Sequence, residues 1–231
     1  PGTGAVEDGE STNDGTPTLN GSVTAALTGT EKVIILRNGS EVGKAVVNGT
    51  AWTYTDAEIT TDGRYTYTAL VRDEAGNEGA KSNDYVMYLD TTAPSQKAVI
   101  DGITDDQAPG LYEVANGGST NDKTPTLHGT LDGELGAGAR LRVFRAGQDV
   151  GGAVVTGRTW VFTDTLANDG TYEYKVAVVD AAHNKGDDSA AYGMTLDTTA
   201  PSQTVIITDI QDDKLPQVET VKNGGYTNDD T

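Results

Sequence analysis

Aspartate and asparagine recur in clusters along this chain rather than evenly. Asp73 and Asn77 sit in DEAGN, Asp180 and Asn184 in DAAHN, and Asp90 and Asp197 each open a DTTAP segment. Asp105 and Asp106 are adjacent, as are Asp212 and Asp213, and the motif Thr-Asn-Asp recurs three times, with Asn13-Asp14, Asn121-Asp122 and Asn228-Asp229. Carboxylates and amides gathered without thiols or repeated imidazoles offer hard oxygen donors. That chemistry suits calcium, which takes about 6–8 oxygens in loose geometry. Any one of these positions reads equally well as a turn former. The whole set, repeated in register, reads as metal-binding.

Other chemistries find little support. The chain has no cysteine, so thiolate sites and disulfides are excluded. Its two histidines, His128 and His183, do not recur: Asn20 and Gly76 stand at the matching places. No nucleophile elbow, phosphate loop or zinc signature is present. Paired carboxylates can serve acid–base hydrolysis, but here they lie at element ends with no cleft implied. Asp62 and Asp169 precede glycine in turns and read as structural.

The elements that position these residues are set by a repeat. DTTAPSQ occupies 90–96 and again 197–203, a step of 107 residues. Thr-Asn-Asp at 12–14, 120–122 and 227–229 steps by 108 and 107. A repeat of this length is one domain, and the chain is a tandem array. The expected division is a module at 1–94 lacking its first strand, a complete module at 95–201, and the opening of a third at 202–231. The last segment carries what the first module lacks, so end-to-end strand donation between chains is one expectation.

Composition narrows the class. Of 231 residues 29 are glycine and only 35% are hydrophobic, which favours strands and turns around thin cores. The net charge of −19 excludes ordinary nucleic-acid binding, which needs basic side chains to displace counterions. No apolar run is long enough for a membrane-spanning helix, and no signal peptide is visible.

Period-two patterning predicts seven strands in the complete module: 97–103, 124–129, 139–145, 150–155, 159–163, 171–179 and 189–196. Seven is the number of an immunoglobulin-like sandwich, so the fold class is all-β, with tandem seven-stranded sandwiches in a linear array. In the sixth strand Tyr172, Tyr174, Val176 and Val178 share one face. Tyr172 and its mate Tyr65 open that strand as a tyrosine corner does. Trp52 and Trp160 read as core packing.

Sandwich topology then locates the acidic groups. Asp105, Asp106, Asn121 and Asp122 fall beside Asp197 at the C-terminal pole. Asp180 and Asn184 fall at the N-terminal pole, beside the incoming linker at Asp90. Asn13, Asp14, Asp90, Asp180 and Asn184 therefore converge on one joint. Two carboxylates 4 Å apart repel by roughly 4 kcal/mol at an effective dielectric of 20. Several so placed call for a cation, with backbone carbonyls and Thr91 or Thr92 completing its shell.

The segments TNDKTPTLHG (120–129), DGTYEYKVAVVDAAHN (169–184) and DTTAP (197–201) resemble the bacterial immunoglobulin-like repeats of giant adhesins exported by type I secretion, among them RTX and biofilm-associated adhesins. The resemblance implies a secreted, cell-surface extender that is not an enzyme. Calcium at its joints would stiffen the rod, and its partners would be neighbouring modules of the same chain. It carries the metal role onto Asp90, Asp105, Asp106, Asn121, Asp122, Asp180, Asn184, Asp197 and their register mates Asn13, Asp14, Asp73, Asn77, Asp212, Asp213 and Asp229. His183 departs from the glycine common in the family. The alternative reading is a glycan- or surface-binding module.

Overall fold

Valine, isoleucine, threonine and tyrosine at alternate positions, broken by Asn-Gly, Asp-Gly and Gly-Gly, dictate short strands with one buried face. The computed structural model describes residues 4–57, 59–108, 111–212 and 219–226, and every regular element in them is a strand. They fall into two units, divided between Asp197 and Thr198.

The first unit holds two sandwiches. One is built from β1 (Glu10–Thr12), β2 (Thr18–Ser22), β3 (Lys32–Arg37), β4 (Ser40–Lys44), β5 (Val46–Asn48), β6 (Ala51–Thr55), β7 (Gly63–Arg72) and β8 (Tyr85–Leu89). Its sheets run β1-β8-β7-β3-β4 and β2-β6-β5. The other comprises β9 (Ala98–Asp105), β10 (Tyr112–Val114), β11 (Gly118–Thr120), β12 (Thr126–Leu131), β13 (Arg140–Arg145), β14 (Gln148–Gly152), β15 (Val154–Thr156), β16 (Thr159–Thr163), β17 (Gly170–Val179) and β18 (Tyr192–Leu196). Its sheets run β10-β9-β12-β16-β15 and β11-β18-β17-β13-β14.

All seven expected strands of the second sandwich are present, with three additions. The expected strand at 150–155 breaks at Ala153, where the chain leaves β13 to pair with β16, so β14 and β15 lie in different sheets. The strands β10 and β11 are only three residues long, too short for a readable period. β11 also pairs in parallel with β18, Gly118 opposite Met194, a partner far away in sequence.

The core lies between the sheets. Ile103, Leu127, Leu141, Val143, Trp160, Tyr174 and Leu196 are fully buried in the second sandwich. Each such side chain contributes on the order of 1.5–3 kcal/mol. Tyr174, Val176 and Val178 bury the face that alternation assigns them. Tyr172 Oη donates to Asn168 O at 2.6 Å and Tyr65 Oη to Thr61 O at 2.7 Å, closing both tyrosine corners. Trp160 lies against Gly129, where a Cβ would sit 1.9 Å from Val99 O and 2.7 Å from the indole. Only glycine admits both the indole and the neighbouring strand there.

The second unit contains one hairpin, β19 (Ile210–Asp212) paired antiparallel with β20 (Glu219–Val221).

Candidate functional site

Between the two sandwiches the chain leaves β8 at Asp90 and enters β9 eight residues on. Asp90 N donates to Thr12 O at 2.9 Å, which fixes the end of β1, and with it Asn13 and Asp14, beside the linker. From the second sandwich comes the turn after β17. Asp180 accepts twice from Asn184, Oδ1 from the backbone N at 2.8 Å and Oδ2 from Nδ2 at 3.0 Å. The same Nδ2 donates to Asp90 O at 2.7 Å. Gly186 follows, and a Cβ on it would lie 2.7 Å from Pro94 O, so the loop and the linker are in close contact. The topological expectation that Asp180 and Asn184 meet the linker at Asp90 agrees with this geometry.

The turn is closed by His183 N donating to Asp180 O at 3.2 Å, with His183 in the left-handed region at φ 68°. Gly76 has φ 87° at the matching place. Histidine therefore occupies a conformation that glycine adopts without strain. Asp73 and Asn77 repeat the motif in the first sandwich, with Asn77 N and Nδ2 each 2.8 Å from the Asp73 carboxylate. Those two donors hold the Asp73 pKa below its ordinary value.

Asp62, which reads from the sequence as a turn former before Gly63, clamps the linker. Its carboxylate accepts from Thr91 Oγ1 at 2.8 Å, Thr91 N at 2.9 Å and Thr92 Oγ1 at 2.9 Å. These donors, the Thr91 hydroxyl foremost, hold the Asp62 pKa below the usual carboxylate range. The Thr91 and Thr92 hydroxyls, expected to complete a metal shell, point to Asp62 instead. Asp90 Oδ1 accepts from Thr92 N at 3.1 Å.

At the far pole of the second sandwich Asp105 and Asp122 are fully buried. The Thr120 hydroxyl joins them, donating to Asp105 Oδ2 and accepting from Asp122 N at 2.9 Å. Gln107 N donates to Asp105 Oδ1 at 2.8 Å. Burial alone would raise the Asp105 pKa, but the donors, led by Thr120 and Tyr112, outweigh it and hold it low. Asp122 Oδ1 accepts from Thr124 N at 2.7 Å, and Asp106 N approaches Asp122 Oδ2 at 3.4 Å. Asn121 Nδ2 donates to Ala108 O at 3.2 Å, and Asp197 N to Thr120 O at 2.9 Å, so Asp197 does lie beside this group. In the first sandwich Asp14 Oδ1 accepts from Thr16 N at 2.8 Å in the same manner. Asp212 ends β19. Asp213 and Asp229 lie outside the described residues.

Among the described residues no three acidic or histidine side chains lie close enough together to hold a metal. The donor chemistry at the joint nevertheless fits a hard cation. The Asp180 carboxylate and the Asp90 carbonyl converge on one amide, that of Asn184. Rotating the amide by half a turn presents an oxygen to the same point, and the two orientations are assigned from the hydrogen-bond network.

A second constellation escaped sequence reading. Asp164, almost fully buried, accepts from Tyr174 Oη at 2.7 Å, Arg145 Nη1 at 2.6 Å and Thr165 N at 2.8 Å. Asp56 accepts likewise from Tyr67 Oη at 2.6 Å and Arg37 Nη1 at 2.7 Å. Burial first, and the adjoining carboxylate second, push both tyrosine pKa values far up. Each phenol is therefore a permanent donor, and the network ties the two sheets together. The recurrence of Arg, Asp and Tyr at repeat spacing was the available signal.

The chain is 32% identical over 181 residues to Exoglucanase B of Cellulomonas fimi, covering 73% of this chain and 15% of that protein. It thus spans only about 15% of its curated relative. The fibronectin(III)-like modules of Clostridium thermocellum CbhA share its fold, with a TM-score of 0.52 at 14% identity over 82% of this chain and 90% of theirs. The bacterial Ig-like domain family is matched at residues 2–91 and again at 95–198. The chain belongs to the bacterial Ig-like domain family, of which it carries two tandem copies.

Proposed function

We propose that this segment is a non-catalytic spacer of a secreted cell-surface adhesin, stiffened by calcium at the joints between its repeats. The observation that carries the reading is the Asn184 bridge. One amide spans the Asp180 carboxylate of one domain and the Asp90 carbonyl of the linker from the other. Asp180, Asn184 and Asp90 would hold the ion. Calcium supplies charge neutralisation there, and binding to the folded joint alone couples it to stability. Export by type I secretion, and the RTX and biofilm-associated setting, come from the resemblance of TNDKTPTLHG and DTTAP.

The match to Exoglucanase B favours a second setting for the same role, in which Ig-like domains space the parts of a secreted polysaccharide-degrading enzyme. Glycan binding by the loops is a third option, and a glycan array tests it. For the spacer, small-angle scattering and thermal melting with calcium and then with chelator are the measurements. Chelation is expected to shorten the particle and lower its melting temperature. No change in either overturns the calcium reading.

A further inference from the structure

Four Asn-Gly pairs lie in the first unit: Asn20-Gly21, Asn38-Gly39, Asn48-Gly49 and Asn116-Gly117. An asparagine before glycine carries a latent reaction with its own backbone. The glycine nitrogen, unobstructed by a Cβ, can lose its proton and attack the asparagine Cγ. The new N–Cγ bond closes a succinimide ring, the Cγ–Nδ2 bond breaks, and ammonia leaves with the proton. Water then opens the ring at either carbonyl. One opening leaves aspartate; the other leaves an isoaspartyl link that routes the chain through the former side chain. Water is the only co-reactant.

The fold holds three of the four pairs away from this reaction. Asn20 lies inside β2, opposite Thr53, and Gly21 is packed against the Trp52 indole. Asn38 Oδ1 accepts from Thr66 N at 2.9 Å, which fixes its amide. Asn116 is held twice: its Oδ1 accepts from Gly193 N at 2.7 Å, and Gly117 N, the attacking atom, donates to Gly193 O at 2.7 Å.

Asn48 has none of these restraints. It is exposed and ends β5, a three-residue strand at the edge of its sheet. Its amide has no hydrogen-bond partner among the described residues, and neither has Gly49 N. Gly49, at φ 64°, and Thr50 make the two-residue loop to β6, with Asn48 opposite Ala51. Nothing stands within 4 Å of where a Cβ on Gly49 would lie, so water reaches the ring. Opening the end of so short an edge costs little, which frees the Gly49 nitrogen to swing onto Cγ.

We propose that Asn48 is a site of spontaneous deamidation that reacts ahead of the other three pairs. It marks the first sandwich alone, because Thr156 stands at the matching place in the second. The aspartyl product keeps the hairpin and adds a negative charge. The isoaspartyl product inserts a backbone carbon next to the Val47–Trp52 pair, which packs on the core of the first sandwich, and loosens β5 there. The inference depends neither on calcium nor on the spacer reading.

The test is peptide mapping by mass spectrometry on the full folded chain, incubated at mildly alkaline pH. The peptide spanning Asn48 should exchange NH for O and resolve into two isomers of equal mass. It should do so about tenfold or more faster than the peptides spanning Asn20, Asn38 and Asn116, each of which must first break a hydrogen bond or strand pairing. Its rate should rise with pH, since the Gly49 nitrogen attacks without its proton. In denaturant the four rates should converge. An Asn48→Thr variant, which borrows the residue of the second sandwich, should keep its mass at that peptide. An Asn48 peptide of unchanged mass, a rate no higher than those of the other three in the folded chain, or the same ranking in denaturant overturns the proposal.

Discussion

The side-chain nitrogen of Asn184 lies 2.7 Å from the carbonyl oxygen of Asp90, although 94 positions separate the two residues. This bond crosses from one Ig-like domain to the linker of the other, and the joint account rests on it. Replacing Asn184 by Ala removes it together with the side-chain bond to Asp180 Oδ2, while the backbone bond to Oδ1 remains. The expected loss of stability is about 1–2 kcal/mol. Residual dipolar couplings on the two domains should show greater freedom between them. Unchanged couplings would mean that the bridge restrains nothing.

Asp62 gives the joint a pH dependence. Its carboxylate is stabilised as the anion by the Thr91 and Thr92 donors, so its pKa is depressed on folding. A depressed carboxylate adds stability that is fully present above the unfolded value, about 3.9, and is lost as pH falls through the lower folded value. The linker amide of Thr91, which donates to Asp62, should exchange faster in that acid window. An Asp62→Ala variant should show the fast exchange at neutral pH as well, and equal protection in both proteins would refute the clamp.

The buried network of the second domain should be costly to break. Tyr174→Phe removes a phenol donating to a charged, buried Asp164, and about 1.5–3 kcal/mol is expected from chemical denaturation. Asp164→Ala leaves Arg145 without its partner and should cost more, about 3–5 kcal/mol. If Tyr174→Phe proves neutral, the network is packing and not hydrogen bonding.

His183 makes the opposite prediction. It holds φ 68° where the other repeat uses Gly76 at 87°. Exchanging His183 for Gly relieves a left-handed conformation and should stabilise the second domain by about 1 kcal/mol, read as a higher melting temperature. A lower melting temperature would show that the imidazole contributes contacts outweighing the strain.

Much of this was legible in the sequence because the repeat doubles every signal. Alternation along 171–179 gives both the strand and its buried face. The tyrosine corner follows from Tyr65 and Tyr172 alone, and sandwich topology carries Asn184 to Asp90. What escaped depends on distant partners. β11 exists because β18 runs beside it, and no local period announces three residues. Asp62 looked like a turn former because its neighbour is Gly63, while the threonines it holds lie 29 and 30 positions away. Nothing local sets Asp164 apart from the other acids, since burial is a property of the packed sheets and not of the residue.

Calorimetric titration of calcium into the full chain, beside its Asn184→Ala variant, tests the central claim most directly. Diffuse attraction to a surface of net charge −19 is common to both proteins, so the difference between them reports the joint. The account predicts a saturable heat in the wild type, with a dissociation constant of about 10⁻⁴ to 10⁻³ M, that weakens or disappears in the variant. Identical titrations, or no saturable heat in the wild type, would contradict it.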